Sequence, residues 1–140
     1  MSLQFSPKNN PRVIVIQKLY GKYFNKEEKI SFPKHRFKKF IKDVVMGTIE
    51  REEIINTEIT NHLNEDINLK NIDKVFYTIV KSAIFEFLYK PKLSSRIIIN
   101  EYLKASNFFI NESQTKYLNA LLDKAAKKIR NYNEWVSVNK

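Results

Sequence analysis

An all-α fold is what this sequence predicts, on three observations. Only 2 glycines and 4 prolines occur in 140 residues, too few for the many turns of an all-β chain. Apolar side chains recur at three- and four-residue steps, the spacing of a helix face rather than of a strand. The hydrophobic content of 43% is enough to bury one core at this length. One domain over residues 11–130 is therefore expected, with a flexible, weakly basic arm over 1–10 and a C-terminal tail over 131–140 that carries Trp135.

The first helix should begin near Pro11, because a first helical turn has no use for the N–H that proline lacks. Val13, Ile16, Tyr20, Tyr23 and Phe24 form its apolar stripe, and Arg12, Lys18 and Lys22 fall elsewhere. Residues 25–33 are polar and end on proline, which marks a loop. Phe37, Phe40, Ile41, Val44 and Val45 make one further stripe and Ile54, Ile55, Ile59 and Leu63 another, with a break or bend at Gly47 or the charged run 50–53. HLNEDINLKN is a loop candidate. From 72 to 89 apolar residues cover most of the circumference, the mark of a central helix surrounded by others. Pro91 stops it, and Ser94 or Ser95 can cap the next helix, which runs to about Phe109. Asn111 and Gln114 have capping-box spacing, and Tyr117, Leu118, Leu121, Leu122, Ala125 and Ile129 line the last long helix.

Within RIIINEYLKASNFF, Ile98, Ile99, Tyr102 and Ala105 share an apolar arc. Asn100 is expected to hydrogen-bond a neighbouring backbone where helices meet, since a buried amide must find partners. Glu101, flanked on the helix by Ile97 and Phe108, should orient the final helix or hold a nearby basic side chain. Glu86, in line with Val75, Ile79 and Ser82, takes the same structural reading.

The formal charge of +10 and a pI near 9.7 point to a polyanionic partner, nucleic acid first. The competing account is a basic drift across a lysine- and asparagine-rich sequence. No cysteine is present, which removes disulfides, thiolate nucleophiles and Cys-ligated metals. The two histidines, His35 and His62, lack metalloprotease spacing, and neither phosphate-binding glycine motif can be built from two glycines. Neither an enzyme nor a cofactor or metal site is expected. The start MSLQFSPKNN has no long apolar segment, and no run approaches the roughly 20 residues that span a bilayer, so a soluble cytoplasmic protein without a membrane partner is expected.

RIIINEYLKASNFF followed by KYLNALLDKAAKKIR resembles the C-terminal half of the NusB transcription antitermination family. RVIVIQKLY and SAIFEFLY are similar to its first and central helices, in family order and spacing. The resemblance implies a compact NusB-like fold of about seven helices in two small bundles. It also implies a factor that binds boxA-type single-stranded RNA together with the small-subunit ribosomal protein NusE. Such an assembly joins RNA polymerase in ribosomal RNA transcription and is tied to ribosome biogenesis.

Carried onto this chain, the resemblance places RNA contacts at Lys8, Arg12, Lys81, Ser113, Lys116 and Tyr117, and NusE contacts at Tyr20 and Phe76. Six of these have an ordinary counterpart: Lys8 and Arg12 as solvated charges, Lys81 on one polar edge, Tyr117, Tyr20 and Phe76 as core aromatics. If Arg12 touches one phosphate, Arg12→Ala should lower the salt slope of RNA binding by about one unit. Three departures stand out. The arginine-rich entry is thinned to Lys8, Asn9, Asn10 and Arg12, Ser94 replaces a proline, and Ala120 replaces a glycine. Lys34, Arg36, Lys38 and Lys39 are the basic residues that could offset the first. A protein-interaction scaffold with weak nonspecific RNA binding is the rival function, and both monomer and homodimer are open.

Overall fold

The computed structural model describes residues 7–68 and 70–138, with side chains through position 130. Residues 1–6 of the expected arm and the side chain of Trp135 lie outside the described residues. Among the described residues, six α-helices follow a 3-10 turn over Pro7–Asn9: α1 Pro11–Lys22, α2 Lys38–Glu50, α3 Glu52–Leu63, α4 Lys74–Tyr89, α5 Ser95–Ser106 and α6 Glu112–Val138. The resemblance called for about seven. α6 carries the backbone as helix through most of the segment expected to be a tail.

Local chemistry sets the helix starts. The Asn10 side chain accepts from the amides of Arg12 and Val13 at 3.0 and 3.3 Å, with Pro11 in the first turn. Asp73 caps α4 through the Phe76 amide at 3.2 Å and Ser94 caps α5 through the Ile97 amide at 3.2 Å. At α6 the capping box closes in both directions, Gln114 N–H to Asn111 at 2.8 Å and Asn111 N–H to the Gln114 side chain at 3.1 Å, satisfying amides that the helix itself cannot.

The break between α2 and α3 falls at Arg51, whose φ of −108° and ψ of 23° leave the helical region. Glu52 and Glu53 then occupy the first turn of α3, where the helix dipole favours acids. Gly47, the other candidate, stays inside α2 for a different reason. A Cβ there would lie 2.4 Å from the ring of Phe85, so the absence of a side chain is what lets α4 approach.

α4 packs against every other α-helix. α1 and α2 pair along it, as do α5 and α6, so the two groups of helices share α4 as a common member. Ile79, Val80, Ala83 and Ile84 of α4 are buried among Ile16, Val44, Ile59, Ile98, Leu118 and Leu122 from the surrounding helices. This all-helical core fixes where the polar positions of α1, α4 and α6 point.

Candidate RNA interface

Arg12 does not stand on a solvated face. It is 7% exposed, and its guanidinium forks onto Glu86, with Nε to Oε2 at 3.0 Å and Nη2 to Oε1 at 2.6 Å. Phe40 and Tyr102 cover the guanidinium at 4.8 and 5.4 Å from the ring centroids. Burial works against its charge, yet the Glu86 bond and the charges around it outweigh burial and raise its pKa. The Tyr102 hydroxyl also donates to Glu86. Burial and the Glu86 carboxylate push the Tyr102 pKa well above its ordinary value, so it remains the donor. The phosphate contact expected of Arg12 is corrected accordingly: this cation neutralises an interior carboxylate.

Asn100 is corrected in the opposite sense. It is exposed, because it lies two residues, or about 200° of helix, beyond Ile98, which faces the core. It contributes no buried amide and instead borders a polar cleft with Asn119 and Asp123. Glu101 is half-buried, 3.8 Å from Lys104. Ala120 points outward on α6, so its methyl group does not narrow any contact inside the fold.

Ser113, Lys116 and Tyr117 are exposed together on the first two turns of α6. The Tyr117 ring, 44% exposed, lies parallel to Phe76 with centroids 5.3 Å apart and 12° between planes. Its hydroxyl donates to the Asp66 carbonyl, and Lys124 pairs with the Asp66 carboxylate at 2.6 Å. Partial burial, with Asp66 nearby, raises the Tyr117 pKa and keeps the phenol neutral. Phe76 itself is 3% exposed and lies beneath Tyr117, so the partner contact expected of it is not available on this surface. Tyr20 is half-buried and meets Phe24 edge-to-face at 5.2 Å. Phe24, placed in the core stripe by its spacing, is 64% exposed, because it lies beyond the end of α1.

Lys81 is buried between Tyr23 and Tyr77, with Nζ 5.0 and 4.9 Å from their ring centroids, and reaches Glu52 at 3.1 Å. Burial opposes its charge, but Tyr23 and Glu52 together outweigh burial and raise its pKa. The first turns of α4 connect this cation to the α6 site, since Phe76 touches Tyr117 and the next residue, Tyr77, faces Lys81. Lys8 stands apart in the N-terminal 3-10 turn. Its carbonyl accepts from His35 Nε2 at 2.7 Å, while His35 Nδ1 accepts from the Phe37 amide at 2.9 Å, which fixes the tautomer.

Sequence reasoning missed Arg130. It is buried and donates to the carbonyls of Phe87, Leu93, Glu86 and Lys90 at 3.0, 2.5, 3.2 and 2.9 Å. It thereby caps the C-terminal end of α4 with a delocalised cation. A basic residue in the otherwise apolar row of Leu122, Ala126 and Ile129 was the available signal.

The NusB family model matches residues 4–127. This chain belongs to the NusB family. It is 34% identical over 98 residues to the transcription antitermination protein NusB of Rickettsia bellii, covering 70% of this chain and 60% of that relative. It is 32% identical over 85 residues to the protein of the same name from Lysinibacillus sphaericus, covering 61% and 66%. The match therefore spans about two thirds or less of these curated relatives. A solved structure of T. maritima NusB superposes with a TM-score of 0.72 at 21% identity, covering 87% of this chain and 92% of that one, a likeness of fold. Among the described residues, no helix is long and apolar enough to cross a membrane.

Proposed function

We propose that this chain is a transcription antitermination factor that binds boxA-type single-stranded RNA together with NusE and acts on RNA polymerase during ribosomal RNA transcription. The observation that carries the reading is the Tyr117 platform. Tyr117 is supported from below by Phe76 and flanked by Ser113 and Lys116 at the opening of α6. Single strands are bound by such a pairing of a flat ring for a base with a cation for its phosphate. Lys81, buried against Tyr23 and Tyr77 and paired with Glu52, adds a second cation only where a phosphate displaces Glu52. Lys8 serves a more distant part of the RNA, and Arg12 acts by holding α1 to α4. Tyr20 with exposed Phe24 forms the patch on which NusE packs.

The test is binding of a labelled boxA-like RNA and a scrambled control, with and without NusE, across a salt series. The reading expects preference for boxA, strengthened by NusE, and a loss of about 5- to 150-fold for Tyr117→Ala, since one base–aromatic stack is worth about 1–3 kcal/mol. Tyr117→Phe should bind as wild type. Equal affinity for both RNAs would overturn the reading. A scaffold for a ribosomal or polymerase factor is the second reading, and the withdrawal of Arg12 from the surface favours it. Tight NusE binding without RNA preference would establish that function instead.

A further inference from the structure

Between α2 and the C-terminal end of α4 runs an open groove of about 1200 Å³. Five cations line it, Arg36, Lys39, Lys42, Arg51 and Lys90, against two acids. Both acids are engaged: Asp43 accepts from Lys90, and Glu50 lies 3.9 Å from Arg51. Lys39 and Lys42 project from α2 three residues apart, hence on one face, and both are exposed.

The apolar part of the lining is nearly all flat ring. Phe37, Phe40, Phe85 and Tyr89 supply it, with Met46 the one aliphatic-type chain. Phe37 is 43% exposed with Arg36 over its face at 5.4 Å, and Arg51 lies 4.4 Å over the ring of Tyr89. An amphipathic helix lays its apolar face into a hydrophobic groove, and a lining that carries five cations is a poor match for one. Rings and guanidinium planes interleaved with unpaired lysines suit unstacked bases and a phosphate backbone. At one end, Arg36 and Phe37 also line the recess beside Lys8 and His35, so the groove continues to the N-terminal turn.

We infer that the α2–α4 groove is a second, sequence-tolerant track for single-stranded RNA. Phosphates lie along Lys39 and Lys42, and bases stack on Phe37 and on the Arg51–Tyr89 pair. The inference rests on the RNA-binding reading above but uses residues that the α6 site does not. It gives the RNA a path beyond the recognised element and a function for charge left over from the Tyr117 site.

The experiment compares a boxA-like oligonucleotide with the same sequence extended at either end by a uridine tract containing 4-thiouridine. Wild-type protein should bind the extended RNA more tightly and crosslink its tract at Phe37, Phe40 or Tyr89. Lys42→Glu, outside the basic cluster over 34–39, should reduce the gain with the short-RNA affinity unchanged, and Lys39→Glu/Lys42→Glu, both at exposed positions, should abolish it without changing the thermal melt. Its salt slope on extended RNA should fall by about 1.4, at about 0.7 per phosphate released on a single strand. A gain that survives the double substitution, or crosslinks confined to α6, would overturn the inference. So would an intact RNA gain accompanied by lost binding of a polyglutamate peptide, which would assign the groove to an acidic protein. Absent boxA preference with groove crosslinks retained would refute the antitermination reading alone and leave the track standing.

Discussion

Glu86→Ala isolates the interior charge network. In the folded chain the Glu86 carboxylate is fully buried, forked by Arg12 at 2.6 and 3.0 Å and bonded by the Tyr102 hydroxyl. Removing it leaves a buried guanidinium and a buried phenol without their acceptor. Breaking one side of such a pair costs about 3–5 kcal/mol, against a total stability of about 5–15 kcal/mol for a domain. A fall in melting temperature on the order of 10 °C is expected. Urea unfolding followed by far-ultraviolet circular dichroism measures it. The triple replacement Arg12→Met/Glu86→Leu/Tyr102→Phe removes the ion pair and the phenol at once and should recover most of the loss, because no charge remains unpaired. A single-substitution cost below about 1 kcal/mol, the range of surface pairs, would refute the reasoning, as would a triple variant no more stable than the single.

Arg12→Ala should lower stability while leaving the salt slope of RNA binding unchanged in protein that is still folded, since the cation faces Glu86; a slope reduced by about one, read by fluorescence anisotropy, would return it to the phosphates. Gly47→Ala should destabilise by about 1–3 kcal/mol of overpacking, less the roughly 1 kcal/mol that alanine gains in a helix, and Phe85→Leu in the same chain should relieve it in a denaturation series. Arg130→Lys should behave nearly as badly as Arg130→Ala in thermal melts, because a point charge cannot reach the four carbonyls that one guanidinium spans. Glu52→Gln should strengthen RNA binding by freeing Lys81 for a phosphate; titration calorimetry showing equal or weaker affinity would remove Lys81 from the interface.

The helices were legible because their signals are local. Asn10, Asp73, Ser94 and the Asn111–Gln114 pair each close hydrogen bonds within three residues, and helix periodicity needs only neighbours in sequence. Which polar residues face inward was not legible, because that depends on partners far along the chain. Arg12 meets Glu86 at a separation of 74 residues, and Arg130 reaches back 43 residues to Phe87. Arg12 looked like a solvated charge beside an apolar stripe, yet the burial of Glu86 at the same level of α4 requires a cation there. The exposure of Ser113, Lys116 and Tyr117 needs no distant partner, since they lie together on the first two turns of α6. The aromatic–basic groove escaped because Phe85 and Tyr89 come from α4 while Phe37, Phe40, Lys39 and Lys42 come from α2 and the residue before it, and only packing brings them together.

Three helices are held to one turn of α4, and this ties stability to the proposed RNA surface. Arg12 of α1 and Tyr102 of α5 hold the Glu86 side chain, while Arg130 of α6 donates to the Glu86 carbonyl at 3.2 Å. Two of these helices also carry, or lead into, a candidate interface: α1 runs up to Tyr20 and Phe24, and α6 opens on Tyr117. A buried ion pair contributes little net stability over an apolar equivalent, but it is poorly tolerant of misregistration, because a shift of one helix strands a charge. The junction therefore selects one arrangement of α1 and α6 about α4. It follows that the triple apolar variant, though stable, should bind RNA and NusE less cooperatively than wild type, since hydrophobic side chains permit neighbouring registers that the Arg12–Glu86 fork forbids. Measuring the enhancement of boxA binding by NusE in both proteins tests this directly. An undiminished enhancement in the apolar variant would show that packing alone sets the geometry and that the ion pair adds no specificity.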